Sequence, residues 1–291
     1  MDVFLERKIK MVGIIDIGTN TIRLVVYENN KKIIEKGVAS EILKYTENKI
    51  LSKTGIEKLC NSIIFLVSMC KSEEIHIIAT QAFRALENKE EVKKDIFSSC
   101  GIDVKILSGE EEAECVFYGV MGEIGKEKSG IIADLGGGSL EIINFADKMV
   151  KDAKSYPIGT KAVKNKFSKD IIPIKAEIDK IENHIEETLK TKFNEGKLYM
   201  AGGTGKTALK ICNNISGEEK NFIKVEEIEK ILSYIESIPK EKLKEVFKNR
   251  YDSIYTGIII IRKLAEIAGK KEIYIIKSGV REGYLKKEMK F

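Results

Sequence analysis

One short pattern occurs twice in this chain, near the start of each half, and it limits the folds that the sequence can adopt. Residues 11–27 read as an apolar strand, a polar turn that contains glycine, and a second apolar strand. Residues 130–145 repeat this order, so that Asp16 aligns with Asp134 and the turns that follow them coincide. A duplicated strand–turn–strand unit indicates two domains of like fold.

Helical and strand patterns alternate in both halves. Apolar residues with helical spacing occupy 56–67, and the apolar run 74–79 that follows is typical of a strand. Alternation of this kind predicts an α/β fold, and the duplication predicts that the two domains face each other across a cleft. The polar segment 123–129 is the best candidate boundary, which gives domains at residues 1–124 and 125–291.

The composition is that of a folded globular protein, because 43% of the 291 residues are hydrophobic and 33% are charged. The apolar runs are shorter than the roughly 18 residues of a membrane-spanning helix, and the polar N-terminus does not resemble a signal peptide. The cytoplasm is therefore the expected location. The net charge of +5 comes without dense lysine and arginine clusters, so neither a nucleic acid nor a membrane is expected as a partner.

Cysteine and histidine exclude several kinds of site. The five cysteines lie far apart and form no C-x-x-C pair, which argues against a disulfide framework and against a zinc site. The two histidines, His76 and His184, lack the neighbours that a Ser-His-Asp triad needs. We expect both histidines to be structural or solvated.

The two duplicated turns have the composition of a phosphate clamp. Glycine allows backbone N–H groups to converge on an anion, a hydroxyl adds a donor, and the aspartate at the strand end can hold Mg²⁺. The alternative is a plain hairpin turn, but two copies with matching flanks favour the clamp. The residues concerned are Asp16, Gly18, Thr19, Asn20 and Thr21 in the first copy, and Asp134, Gly136, Gly137, Gly138 and Ser139 in the second.

A third glycine-rich turn, formed by Gly202, Gly203 and Thr204, follows the apolar run 197–201. The Gly-Lys-Thr just after it resembles part of a Walker P-loop, but that pattern requires a glycine where this chain has Met200. We therefore reject the P-loop interpretation. An anion site at a helix N-terminus and a purely structural strand–helix turn are the two interpretations left.

Carboxylates crowd the start of a predicted helix in the segment Ser-Gly-Glu-Glu-Glu-Ala-Glu, residues 108–114. Acidic residues in the first turn are favourable through the helix dipole, and a solvated face is the simplest interpretation. Alternatively, one of these carboxylates removes a proton from a water molecule that attacks a phosphoryl group. The spacing alone does not say which glutamate that would be.

In this order along the chain, the motifs resemble those of the Ppx/GppA phosphatases, which are exopolyphosphatases and guanosine pentaphosphate phosphohydrolases of the actin-like superfamily. The matching segments run nearly from end to end, at 15–24, 79–84, 108–113, 134–141, 202–204 and 279–283. The resemblance implies two actin-like (ribonuclease H-like) domains. It also implies that Glu112 is the catalytic glutamate and that Asp134 binds the metal, with Asp16 expected as a second metal-binding residue.

The activity that the resemblance implies is hydrolysis of a terminal phosphoanhydride in polyphosphate or in pppGpp. Backbone amides of the glycine turns, Arg23 or Arg84, and Mg²⁺ near Asp134 would neutralise the terminal phosphoryl group. Glu112 would orient and deprotonate the attacking water. A homodimer is also expected.

Some residues depart from the family pattern. The Arg-Leu-Gly segment that usually follows the opening hairpin is absent from 35–45, and Gln81 and Phe83 replace the usual serine and leucine. The chain ends before an additional C-terminal helical domain could begin, so we expect the short two-domain form. Two other functions stay open: an ATP-dependent small-molecule kinase of the same superfamily, and a nucleotide or polyphosphate sensor without turnover.

Overall fold

The duplicated sequence pattern becomes two β-sheets of matching topology in the computed structural model, which describes residues 11–29, 31–72 and 74–289. The strands of the first half are β1 (Met11–Ile17), β2 (Thr21–Glu28), β3 (Lys31–Ala39), β4 (Thr46–Glu47), β5 (Ile50–Leu51), β6 (Glu74–Ala79) and β7 (Val104–Ile106). Those of the second half are β8 (Ser129–Leu135), β9 (Leu140–Ala146), β10 (Met149–Tyr156), β11 (Lys197–Ala201), β12 (Phe222–Lys224) and β13 (Glu272–Ile275).

The two sheets share a strand order of three antiparallel strands followed by parallel ones. The first sheet runs β3-β2-β1-β6-β7, and the second runs β10-β9-β8-β11-β13 with β12 added antiparallel at the edge. Strands β1, β6 and β7 are parallel to one another, as are β8, β11 and β13. This confirms the predicted α/β fold, in which the two halves of the chain have sheets of like topology.

Helices connect and cover these strands. The helices are α1 (Lys53–Ser68), α2 (Gln81–Arg84), α3 (Lys89–Cys100), α4 (Gly109–Ile124), α5 (Thr160–Phe167), α6 (Lys175–Thr188), α7 (Gly203–Ser216), α8 (Ile228–Ser237), α9 (Lys240–Phe247), α10 (Ile254–Ile267) and α11 (Val280–Met289). Within the described ranges, no helix combines the length and the apolar character that crossing a bilayer would require.

Local sequence signals explain some of the helix boundaries. Helix α1 begins at Lys53 because the Ser52 side chain accepts a hydrogen bond from the Gly55 amide and caps the helix. Helix α7 begins at Gly203, directly after its N-cap residue Gly202. Helix α2 is a single turn that ends at Arg84.

The second sheet has a helical layer on each face. On one face, residues of β8 and β9 such as Ala133 and Ile142 pack with helices α5, α6, α7 and α10. On the other face, Ile132 and Ile143 pack against Val116 of α4. Because side chains alternate along a strand, Asp134 lies on the same face as Ile132, the face that α4 covers.

The chain divides into two compact units, one up to Leu107 and one from Ser108 onward. This division differs by one helix from the sequence boundary after residue 124, because α4 groups with the second unit. The reason is its packing against α11: a Cβ at Gly283 would collide with the Cys115 carbonyl, so the two backbones are in close contact. Glu114 and Lys287 form an ion pair between the same helices.

Candidate active site

The carboxyl ends of β1 and β6 gather the predicted site residues of the first unit at one sheet edge. Asp16 lies opposite Ile78 in register, one residue before the end of β1. The turn that follows is closed by a hydrogen bond from the Gly18 amide to the Thr21 carbonyl, at 3.2 Å. Among the described residues, the side-chain oxygens Asn20 Oδ1 and Thr21 Oγ1 are buried there without a hydrogen-bond partner. Such oxygens are unusual in a turn with only a structural role.

The two arginines that we predicted as phosphate ligands have different surroundings. Arg84 Nη1 donates to the Leu107 carbonyl at 2.5 Å, so this arginine also braces the end of β7. Arg23 forms an ion pair with Glu35 on the neighbouring strand β3. Burial raises the pKa of Glu35, but hydrogen bonds from Lys32 and Arg23 outweigh it and hold the pKa at about 2.

In the second unit, three polar residues form a row across adjacent strands. Asp134 of β8 lies opposite Glu141 of β9, and Glu141 lies opposite Ser155 of β10. Glu141 is only 1% exposed, and its Oε1 accepts a hydrogen bond of 2.7 Å from the Ser155 hydroxyl. Directly opposed residues place their side chains on one face, so two carboxylates are neighbours at the end of β8.

Helix α4 places its first turn over this row. A Cβ at Gly109 would lie 3.3 Å from Ser155 Cβ, so the helix start contacts β10 at the row itself. Glu112, one turn further on, is 6% exposed. The structure thus brings Glu112 to the sheet face that carries Asp134 and Glu141.

The first turn of α4 also separates the roles of its glutamates. Glu111 forms a capping box with Ser108: its Oε2 accepts from the Ser108 amide at 2.8 Å, and the Ser108 hydroxyl accepts from the Glu111 amide. Glu110 is exposed, and Glu114 is paired with Lys287. Glu112 is the buried carboxylate of the segment.

The second hairpin turn has the same closing hydrogen bond as the first and packs against the backbone at the start of α5. The Gly136 amide donates to the Ser139 carbonyl at 3.0 Å, which matches the bond of the first copy. The backbone at Gly159, the N-cap of α5, touches this turn so closely that a Cβ there would collide with Gly137 and Gly138. Gly159 therefore helps to set the shape of the turn.

The turn of Gly202, Gly203 and Thr204 lies against Asp134. Gly202 has a φ of 93°, and a Cβ on it would lie 2.8 Å from Asp134 Oδ1, so glycine is required twice over. The guanidinium of Arg250 lies across the Gly203 backbone, with Nε 2.6 Å from where a Cβ would be. An arginine beside a helix N-terminus makes this a favourable place for a phosphate group.

Two further helices begin close to this turn. A Cβ at Gly257 in the first turn of α10 would lie 2.5 Å from Thr204 Cγ2 and 3.0 Å from Thr160 Cγ2 at the start of α5. Three helix N-termini, those of α5, α7 and α10, therefore converge, and their dipoles add positive potential. By contrast, Lys206 of the Gly-Lys-Thr run donates to the Lys277 carbonyl at 2.5 Å, which agrees with rejecting the P-loop interpretation.

The carboxylates suit a magnesium ion that shares its ligands with a substrate. Within residues 11–29, 31–72 and 74–289, no three Asp, Glu, His or Cys side chains form a metal cage. Mg²⁺ in phosphate-handling sites typically uses one or two carboxylates and takes its other ligands from phosphates and water. Asp134 and Glu141 offer such a pair. Asp16 instead has the cationic Arg23 as its cross-strand neighbour.

Sequence reasoning missed four residues of this region: Glu141, Ser155, Gly159 and Arg250. Glu141 was within a segment that carried the family resemblance, and its spacing from Asp134 places it opposite in a hairpin. Gly159 follows a proline in Tyr-Pro-Ile-Gly, a pattern typical of a turn before a helix. Nothing in the local sequence marks Ser155 or Arg250, because their neighbours come from other parts of the chain.

Comparisons with known proteins identify the family. Residues 14–290 match the model of the Ppx/GppA phosphatase family. Exopolyphosphatase 1 of Mycobacterium tuberculosis is 23% identical over 96% of this chain and 88% of its own length.

Several solved structures have the same fold. The Ppx/GppA enzyme of Aquifex aeolicus is 26% identical with a TM-score of 0.76, over 95% of this chain and 99% of its own. An exopolyphosphatase of Cytophaga hutchinsonii has a TM-score of 0.86 at 17% identity, over 97% and 98% of the two chains. Because the family model matches nearly the whole chain, residues 14–290, the chain belongs to the Ppx/GppA phosphatase family.

Proposed function

We propose that this protein is an exopolyphosphatase that releases terminal phosphate from inorganic polyphosphate. The observation that carries the proposal is the row of Asp134 and Glu141 beneath the first turn of α4, where Glu112 is buried. The names of similar proteins, which include exopolyphosphatases, support the choice of substrate.

Each group in this arrangement has a distinct task. Glu112 accepts a proton from the attacking water, because it is the carboxylate of its turn that is neither used in the cap nor exposed. Phosphoryl oxygens are bound by the Arg250 guanidinium and by backbone amides of two turns. These turns consist of Gly136, Gly137, Gly138 and Ser139, and of Gly202, Gly203 and Thr204. In the first unit, Gly18, Thr19, Asn20, Thr21, Arg23 and Arg84 have the same role.

Asp134 and Glu141 would hold Mg²⁺ on their facing carboxylates, with Asp16 a further candidate ligand. When bound, the ion neutralises charge on the phosphate chain during in-line displacement. Guanosine pentaphosphate has the same kind of terminal bond and is the second substrate that we propose. A homodimer is the oligomeric state that we propose.

Phosphate release from purified protein tests the proposed function. Polyphosphate, pppGpp and ATP are offered separately with Mg²⁺, and the Glu112→Gln variant serves as the control for contaminating phosphatases. We expect the wild type to release phosphate from polyphosphate at a rate about 10²–10⁴-fold higher than that of the variant. No release from polyphosphate by the wild type, or equal release by both proteins, would refute the proposal.

A further inference from the structure

Ser155 occupies a position that no motif of the sequence marks. Its hydroxyl donates to Glu141 Oε1 at 2.7 Å, and its Cβ supports Gly109 at the start of α4. It thus touches both the buried carboxylate of the row and the helix that carries Glu112. Its own residue surface is exposed, whereas Glu141 is 1% exposed.

The carboxylate of Glu141 can rotate about its terminal bonds unless something holds it. A hydroxyl that donates to one carboxylate oxygen fixes the plane of the group and so sets the direction in which the carboxylate can meet a cation. Strand β10 is paired in register with β9 at this residue, so the position of the donor is set by the sheet. The same donor would be lost in alanine and kept in threonine.

We propose that Ser155 is a positioning residue that orients the Glu141 carboxylate for metal binding; this rests on the proposed function. Ser155 does not contact the reacting atoms in this role. It acts through Glu141. By its contact with Gly109, it also helps to position the first turn of α4.

The test measures metal binding by the whole chain, apart from turnover. Free Mn²⁺ is followed by electron paramagnetic resonance during titration in the presence of imidodiphosphate, a phosphate chain with a non-hydrolysable bridge. We compare the wild type with Ser155→Ala and Ser155→Thr. Ser168→Ala is the matched control, because the Ser168 hydroxyl also donates to a glutamate, Glu177, at 3.1 Å but near the start of α6.

We expect Ser155→Ala to weaken Mn²⁺ binding by about 10-fold, with Ser155→Thr and Ser168→Ala within about 2-fold of the wild type. In turnover, the Mg²⁺ concentration for half-maximal rate should rise in Ser155→Ala while kcat at saturating Mg²⁺ changes little. Unchanged Mn²⁺ binding by a folded Ser155→Ala protein would overturn the proposal, as would a wild type that binds no Mn²⁺. A wild type that binds Mn²⁺ but hydrolyses no polyphosphate would refute the proposed function alone, and the Mn²⁺ titrations would still decide the role of Ser155.

Discussion

Glu111 and Glu112 are neighbours in sequence, but their side chains have different surroundings in α4. Glu111 closes the capping box with Ser108, whereas Glu112 is buried on the face toward the second sheet. Glu112→Gln keeps the size of the side chain but cannot accept a proton. Turnover of polyphosphate should therefore fall by about 10²–10⁴-fold while binding of polyphosphate persists.

The matched control for that variant is Glu111→Gln. Glutamine can still accept a hydrogen bond in the cap, so the cost in stability should be at most about 1 kcal/mol, and turnover should stay near that of the wild type. Steady-state rates and thermal unfolding of both variants measure the two effects. Loss of turnover in Glu111→Gln with little change in Glu112→Gln would assign the general base to Glu111.

Glu35 gives the protein a pH dependence that does not depend on catalysis. Its pKa in the folded chain is about 2, against an ordinary value of 4.5, so folding favours its ionised form. The stabilisation is complete above about pH 4.5 and is lost as the pH falls toward 2. Thermal unfolding of wild type and Glu35→Gln should differ at pH 6 and converge near pH 2. A difference that grows on acidification would contradict this account.

At the scale of residues, the sequence predicted the residues of the turns better than the residues from other segments that pack against them. Asp134 and its glycines lie within residues 134–138, so one motif contains them. The choice of Glu112 came from the family resemblance, although the Ser-x-x-Glu spacing at Ser108 is a capping signature that already assigns Glu111 elsewhere. Arg250 lies against Gly203 because segments that are distant in the chain fold together, and the local sequence does not predict that contact.

Among the elements, the pair α4 and α11 joins the catalytic helix to the end of the chain. The motif Gly-Val-Arg-Glu-Gly contains two glycines with different surroundings: a Cβ at Gly283 would collide with the Cys115 carbonyl, whereas a Cβ at Gly279 would meet nothing within 4 Å. The first glycine therefore tolerates a methyl group and the second does not.

Gly283→Ala should destabilise the protein by about 1–3 kcal/mol or more, because the helices must separate, and this outweighs the gain in helix propensity. Gly279→Ala should cost at most about 1 kcal/mol, as expected when alanine replaces glycine just before a helix. Chemical denaturation of both variants measures the difference. Equal stability of the two variants would show that close packing of α4 on α11 is not what requires Gly283.

The sequence did not predict which half of the chain helix α4 packs with. The polar segment 123–129 looks like a linker, and composition gives no reason to place the break before α4. The actual division follows the contacts of α4 with α11, which are separated by more than 150 residues in the chain. The likeness of the two sheets, by contrast, followed from the duplicated hairpin, because a repeated local pattern favours the same fold twice.

For the whole molecule, charge predicts how long phosphate chains are handled. Digestion of a long polymer without release needs an extended basic track, because each phosphate must be held as the chain advances. The charge excess of this chain is only +5. We predict that it prefers short polyphosphate or pppGpp, releases intermediates between cuts, and binds more weakly as salt rises.

Gel analysis of partly digested long polyphosphate checks this prediction at two salt concentrations. A ladder of intermediates is expected, with slower digestion at the higher salt concentration. Full-length polymer and free phosphate without intermediates would mean that digestion is processive. That result would contradict the prediction and would require a basic track.

The central claim is that water, activated by Glu112, attacks the terminal phosphorus of polyphosphate. Turnover in H₂¹⁸O followed by mass spectrometry of the released phosphate tests it most directly. We predict one ¹⁸O atom in each phosphate released by the wild type, at the rate of polyphosphate loss, and a labelling rate about 10²–10⁴-fold lower in Glu112→Gln. Loss of terminal phosphate without ¹⁸O label, or equal labelling by the two proteins, would contradict the claim.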